Sequence, residues 1–226
     1  MGCGKVYDDQ WEKAPDAGIE RLEFETILEW VRPGSRVLDL GCGDGSLGSR
    51  LIKEKDCLVW GVDVSGLAVD LAKKKGVVAR VGDLDHEELP FEDGFFDHVI
   101  LCDVLEHVFF PKKVLEEAKR LTRDGLIVAA PNVAYWSGRL DLLRGYFPRA
   151  PLFGFNWYDS DHVTLFSYRD FLRLTQEMDL KVERRHFIGP HRIEKVSFLK
   201  RVFPGLFALV FVVELRRFER VKTRLA

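Results

Sequence analysis

Residues 36–48, RVLDLGCGDGSLG, constrain the fold of this chain more than any other stretch. Val37, Leu38 and Leu40 predict a short buried strand. Gly41, Gly43 and Gly45 then turn the chain with no side chain in the way. Ser46 is the expected cap of a helix whose apolar positions, Leu47, Leu51 and Ile52, recur at helical spacing. Glycines at such a turn let a ligand lie against the backbone, and the free amides of a helix start favour an anionic group. Strand, turn and helix in this order predict a cofactor loop at the carboxyl end of a first parallel strand, where open α/β sheets bind ligands.

The flanking chain supplies the rest of such a sheet. Residues 19–31 predict an amphipathic helix closed by Pro33-Gly34. A buried strand over 57–62 ends at Asp63, and Ser65 starts a helix to Lys75 that Gly76 stops. A third strand over 77–81 ends in Gly82-Asp83, and an acidic, turn-rich loop covers 85–94. The fourth strand, 96–102, is almost continuously apolar, as a strand covered on both faces should be. A helix over 111–121 and a fifth strand over 125–130, ending in Pro131-Asn132, complete a βα alternation that implies a parallel sheet with helices on both sides.

The alternation breaks there. A helix over 134–143 leads into 145–165, rich in aromatics, Pro and Gly, which reads as an insertion covering a substrate. Phe147, Phe153, Phe155, Trp157 and Tyr158, with Phe166 just beyond, argue against disorder. A helix over 168–178, a strand over 181–187, a basic segment over 191–201 and a strand over 206–215 follow. The expected architecture is a Rossmann-like α/β fold, a seven-stranded, mostly parallel sheet with an antiparallel last strand. Residues 1–226 read as one domain, with 1–18, bearing Tyr7 and Trp11, as an N-terminal arm.

Composition excludes several classes. Lys plus Arg number 34 against 36 acidic residues, so no global charge favours nucleic acid. Cys3, Cys42, Cys57 and Cys102 fit no zinc spacing, and the three in predicted strands or the loop, Cys42, Cys57 and Cys102, read as small core residues of a reducing, cytoplasmic protein. No secretory signal is visible, and the MGCGKV start lacks the Ser or Thr of a myristoylation signal. The longest apolar run, 202–213, is broken by Pro204 and Gly205 and is too short to span a bilayer, which takes roughly twenty residues. It reads as a buried strand. The alternative is attachment to a membrane surface helped by Lys200, Arg201, Arg216 and Arg217.

The cofactor follows from an acidic residue. Gly43 to Gly48 spells G-x-G-x-x-G, with Asp63 about twenty residues on, as a dinucleotide fold requires. However, the first glycine after the strand is Gly41, and Asp39 sits near the strand end. A carboxylate there repels a pyrophosphate but holds the ammonium of an amino acid. S-adenosylmethionine carries such a moiety, an adenosine and no phosphate, and Asp39 selects it over a nicotinamide dinucleotide. Asp63 can accept hydrogen bonds from both ribose hydroxyls. Asp83 can accept from the adenine amino group, with the Leu84 amide reaching the ring, and the backbone of Cys102-Asp103 would face the methionine part.

VLDLGCGDG (37–45), GVDV (61–64), GDL (82–84) and FDHVIL (96–101) resemble the class I S-adenosylmethionine-dependent methyltransferases over residues 36–132. That likeness implies cofactor contacts at Gly41, Gly43, Asp63, Asp83 and Leu84. Asp39, Cys42, Val64, Cys102 and Asp103 complete the expected set, with S-adenosylhomocysteine as product. LDLGCGDGSL (38–47), GDLD (82–85), PNVAYWSGRLDLLRG (131–145), WYD (157–159) and HVTLFSYRDF (162–171) resemble the MetW-like group, named for methionine biosynthesis. LCDVLEH (101–107) is closer to small-molecule methyltransferases of the ubiquinone-biosynthesis type, and the stretch beyond about 190 exceeds a minimal MetW chain.

Methyl transfer from a sulfonium is an in-line displacement, so the protein chiefly positions the acceptor and excludes water. An oxygen or nitrogen acceptor also needs a base, for which histidine is suited. His107, after the fourth strand, and His162, in the insertion, are the candidates; the plainer reading of each is a structural hydrogen bond. Asn132, Tyr135, Trp157 and Tyr158 are expected to line the acceptor pocket, although such aromatics more often simply pack. Asp103, Glu106 and His107 fall at i, i+3, i+4, so one helical face would present all three to a divalent ion. A similar pattern is thought to hold magnesium in some ubiquinone-type enzymes, but Glu-His here is also common without a metal, and no metal ligand is assigned. Arg184, Arg185, His186, His191 and Arg192 read as a solvated basic face, or as a contact for an anionic acceptor or partner. The expected function is methyl transfer to a small molecule. The alternative is a MetW-like non-catalytic or regulatory partner of a methionine-biosynthesis acyltransferase.

Overall fold

The computed structural model describes residues 22–149, 156–158, 160–189 and 197–218. The N-terminal arm, the first turn of the expected 19–31 helix, Phe153, Phe155, His191 and Arg192 lie outside the described residues. In chain order the elements are α1 (Leu22–Trp30), β1 (Arg36–Leu40), α2 (Ser46–Lys55), β2 (Leu58–Asp63), α3 (Gly66–Lys74), β3 (Val78–Val81) and β4 (Phe96–Cys102). Then come α4 (Pro111–Leu121), β5 (Thr122–Pro131), α5 (Trp136–Leu143), α6 (Tyr168–Glu177), β6 (Leu180–Ile188), α7 (Ser197–Val202), α8 (Pro204–Phe207) and β7 (Val210–Arg217).

The strands form one seven-stranded sheet in the order β3-β2-β1-β4-β5-β7-β6. β1 pairs in parallel with β2 and β4, β2 with β3, and β4 with β5. β7 is antiparallel to both β5 and β6, so it alone runs against the rest, as expected of the last strand. The chain steps from β1 outward to β3 and then returns to lay β4 on the other side of β1. A crevice therefore opens at the carboxyl ends of β1 and β4, the place where such sheets take ligands.

Strand alternation divides the core into two layers. Leu38, Leu40, Val99, Leu101, Leu126 and Val128 pack with Val114 and Leu115 of α4 and Phe171 of α6. Val37, Ile100, Ile127 and Val212 face Ile27 of α1, Leu51 of α2 and Val69 of α3 on the other side. All seven residues of β4 are buried, which is why that strand is apolar apart from Asp97 and His98. Cys42, Cys57 and Cys102 are buried free thiols.

Two expectations are corrected. Ser46 does not cap α2; it is the first helical residue, and the cap position is Gly45 in left-handed geometry. Asp44 takes over the capping, accepting from the Ser46 amide at 3.0 Å and from its hydroxyl at 2.8 Å. The strand expected over 206–215 is displaced, because Pro204 occupies the first turn of the short helix α8 and β7 begins only at Val210. Among the described residues no helix is long and apolar enough to cross a membrane.

Candidate functional site

Three loops at the carboxyl ends of β1, β2 and β3 meet on Asp63. Its Oδ2 accepts from the Gly43 amide at 2.8 Å and its Oδ1 from the Ser65 amide at 2.9 Å. Its main-chain carbonyl accepts from the Gly82 amide at 2.9 Å. Val64 continues the second loop between these anchored residues.

The first loop is forced into shape. Gly41 has φ 73°, and a Cβ there would lie 2.5 Å from Val104 Cγ2. Gly45 has φ 74°, and its Cβ would lie 2.7 Å from the Ala72 backbone, which cannot give way. The Gly41 and Cys42 amides donate to the Val62 carbonyl at 2.7 and 3.1 Å, holding the first loop onto the second. Lys75, at the end of α3, donates through Nζ to Asp44 and, at 2.9 Å, to the Ser46 hydroxyl. Burial pushes the Asp44 carboxyl up, but Lys75 and Ser46 outweigh it and hold the group below the usual carboxylate range. Burial, then the Asp39 and Asp63 carboxylates, push the Cys42 thiol well up, so it is an inert neutral group rather than a nucleophile. Asp39 and Asp63 thus converge on the same loop residue, and Asp39 itself is buried in β1 opposite Gly61 and Ile100.

Asp83 follows Gly82 and spans a turn, accepting from the Asp85 amide at 3.0 Å and meeting His86 Nδ1 at 3.0 Å. Leu84 lies between it and Asp85. Asp85, which sequence reasoning left out of the site, is buried, and its carboxylate crosses to the loop after β4. It accepts from the Phe109 amide at 3.0 Å and the Phe110 amide at 2.9 Å, satisfying the start of α4 from a distance. GDLD held Asp85 in plain sight, but no local pattern announced its partners.

Cys102 ends β4, and Asp103 turns the chain there with φ 53°, its amide donating to the Ala129 carbonyl at 3.0 Å. The 104–107 stretch is a turn, not a helix, with the His107 amide donating to Val104. Asp103, Glu106 and His107 therefore do not share a helical face, and the expected spacing argument fails at Asp103. His162 takes that place. One ligand-type atom each from Glu106, His107 and His162 lies within 4.8 Å of the others. The two imidazole rings stand edge to face with centroids 4.8 Å apart. His107 Nδ1 lies 3.3 Å from both the carbonyl and the carboxylate of Asp161. The Glu106 carbonyl accepts from the Val163 and Thr164 amides at 2.8 and 3.0 Å, and the Thr164 hydroxyl donates to the Val108 carbonyl at 2.7 Å. The segment carrying His162 is thereby stitched to the loop after β4. Burial, then the neighbouring His107, push the His162 imidazole down to about 4, partly opposed by Asp161.

The four expected acceptor-pocket residues separate. Asn132 is fully buried, and its side chain is spent on structure. Nδ2 donates to the Ala208 carbonyl at 2.8 Å and the Gly205 carbonyl at 3.4 Å, while Oδ1 accepts from the amides of Ala134 at 3.3 Å and Tyr168 at 3.2 Å. With both donors and both lone pairs committed, it is a strut and not an acceptor contact. Tyr135 is buried beside Trp136 at the start of α5. Trp157 and Tyr158 pair edge to face and stand 69% and 70% exposed among the described residues.

The family model described as methionine biosynthesis protein MetW matches residues 21–213. A "Bifunctional methionine biosynthesis protein MetXA/MetW" from Rhodopirellula baltica is 30% identical over 177 residues, 74% of this chain and 28% of that protein. A ubiquinone biosynthesis O-methyltransferase from Neisseria meningitidis is 29% identical over 136 residues, 54% of this chain and 57% of that protein. The chain thus spans under two thirds of the length of either relative. Among solved structures, magnesium protoporphyrin IX methyltransferase from Synechocystis PCC 6803 with bound SAH superposes with a TM-score of 0.67. The two are 19% identical and the match covers 95% of each chain, a likeness of fold: that of class I S-adenosylmethionine-dependent methyltransferases.

Proposed function

The chain belongs to the MetW family, and from that premise we propose that it binds S-adenosylmethionine in the crevice at the carboxyl ends of β1 to β4 and transfers the methyl group to a small-molecule acceptor. The observation that carries the reading is the convergence of three loops on Asp63, which sets a carboxylate at the end of β2 against the glycine loop, where a ribose is expected. Asp39, Gly41, Cys42 and Gly43 form the wall for the methionine end, with Cys102 and Asp103 opposite. Val64 flanks the ribose, and Asp83 and Leu84 meet the adenine. Held there, S-adenosylmethionine would supply an electrophilic methyl group to the acceptor's lone pair, the carbon–sulfur electrons staying with sulfur to leave S-adenosylhomocysteine. His107 and His162 are the imidazoles that can receive an acceptor proton. Residues 1–226 act as one cytoplasmic domain, with Tyr135, Trp157 and Tyr158 as the acceptor side.

Titration calorimetry with S-adenosylhomocysteine tests the reading directly. Binding is expected in the wild type and weaker in Asp63→Ala by about 1–3 kcal/mol, the cost of leaving hydroxyl partners unmatched. No binding by the folded wild-type chain would reject it.

A second reading is that of a non-catalytic or regulatory partner of a methionine-biosynthesis acyltransferase. The relative whose name joins MetXA to MetW favours it. Stable co-purification with an acyltransferase, without turnover by the isolated chain, is the outcome this reading expects; turnover by the isolated chain counts against it.

A further inference from the structure

We propose that Glu106, His107 and His162 form a binding site for a divalent first-row transition ion. The three groups come from two separated stretches, the loop after β4 and the segment before α6, and one ligand-type atom of each lies within 4.8 Å of the others. Ligand atoms about a tetrahedral zinc stand roughly 3.3 Å apart, given bonds of about 2.0–2.1 Å. Small side-chain rotations close the difference, because the backbones are already fixed to each other by the bonds from Val163 and Thr164 to the Glu106 carbonyl.

The donor chemistry selects the ion. Two imidazoles and one carboxylate suit zinc, cobalt, iron or manganese, whereas magnesium demands oxygen ligands and keeps its waters. His107 is also oriented for the task. Its Nδ1 lies 3.3 Å from both the carbonyl and the carboxylate of Asp161, two acceptors of the kind that orient a ligating imidazole. An ion between the three groups would supply positive charge beside a carboxylate that is only 1% exposed. Three protein ligands leave coordination positions open, and a small cavity lined by Glu106, Pro131, Val133, His162, Thr164 and Phe166 adjoins them. That cavity has room for about one water-sized ligand. The imidazoles hold the ion when it is bound and are open to an acceptor proton only when it is absent. This inference stands apart from the cofactor reading, since no ligand atom belongs to the Asp63 crevice.

The test uses the full chain after chelator treatment. Calorimetry with zinc chloride is expected to give one equivalent bound, and cobalt chloride a visible absorption band of nitrogen and oxygen ligation. His162→Ala and Glu106→Gln should each weaken zinc binding at least tenfold, with circular dichroism confirming the fold, and magnesium should not compete. If His162→Ala does not fold, His107→Gln carries the same expectation. Absence of zinc and cobalt binding by the wild type would overturn the proposal, leaving the rings as a packed pair. So would binding that the variants leave unchanged, which would locate the ion at cysteines or surface histidines. A parallel titration with S-adenosylhomocysteine separates this result from failure of the cofactor reading.

Discussion

Asp85→Ala is the sharpest probe of how the crevice is held together. The Asp85 carboxylate is buried and accepts two amides, Phe109 at 3.0 Å and Phe110 at 2.9 Å. Phe110 occupies the cap position of α4 and offers no capping side chain of its own, so Asp85 does that work from a different loop. Hydrogen bonds to a charged group are worth about 1.5–3 kcal/mol, and a lost cap typically costs about 1. Because the two bonds share one carboxylate and water can reach part of the site, the sum is about 2–4 kcal/mol. At about 2–4 °C per kcal/mol for a chain of this size, the midpoint of thermal unfolding should fall by roughly 4–16 °C. Asp85→Asn keeps one acceptor oxygen and turns an amide toward the second N–H, so it should lie between alanine and wild type. Urea unfolding followed by circular dichroism gives the free energies. Binding of S-adenosylhomocysteine should weaken as well, because Asp83 and Leu84 sit on the loop that Asp85 anchors. An alanine variant within 0.5 kcal/mol of wild type, roughly the scatter of neutral surface changes, would refute the argument that this carboxylate joins the two loops.

Gly41→Ala must place its Cβ 2.5 Å from Val104 Cγ2 at φ 73°, and should cost about 1–3 kcal/mol in urea unfolding and abolish cofactor binding. The Asp44 carboxyl is held low in the folded state, so its contribution is present above the unfolded value of 3.8 and is lost as pH falls through the folded one. Lys75→Met removes its main partner; discounted for partial exposure, the loss is about 1 kcal/mol near neutral pH and fades as acid protonates Asp44 in the folded state, read from unfolding midpoints across an acid-to-neutral range. His98 is buried in β4 with neither ring nitrogen hydrogen-bonded, and burial, opposed chiefly by Glu214, pulls its imidazole down. The unfolded chain therefore takes up a proton near 6.5 that the folded chain refuses, and stability drops as pH falls through that value. His98→Leu should be neutral to about 1 kcal/mol stabilising at pH 8 and should flatten that slope; a steeper slope in the variant would contradict the assignment.

What the sequence made legible is what depends on near neighbours. The glycine loop, the acid at the end of β2, and Ser65 capping α3 are all local patterns, and the structure bears them out: the Ser65 hydroxyl accepts from Ala68 at 3.1 Å. β5 begins earlier than its apolar run suggests. Thr122 pairs with Phe96 across a register shift, and polar residues at 123–124 hide that first pairing. α8 was hidden for the opposite reason. An apolar run alone does not distinguish a strand from a helical turn, and Pro204 decided it. The site's long-range contacts had no sequence signal at all. Asp85 finds its amides 24 and 25 residues on, and Asp161 meets His107 across 54. Such pairs exist only once the sheet has brought two strand ends together.

Asn132 explains how the acceptor side can differ while the crevice stays fixed. One carboxamide at the end of β5 bonds Ala134 at the start of the departing segment and Tyr168 where the chain returns as α6. The same group bonds Ala208 just before β7. Both feet of the stretch from 134 to 167 are thus anchored to one buried side chain, and the returning limb is fastened again where Val163 and Thr164 bond Glu106. Loop closure costs grow only slowly with length, so residues between these anchors can change in number and kind with little effect on β1, β2 and β3. The solvent-facing Trp157 and Tyr158 lie in that permissive span, whereas Glu106, His107 and His162 lie at its fastening point. On the reading proposed above, groups that must stay registered to the crevice belong at the fastening point, and variation that tunes an acceptor belongs in the span.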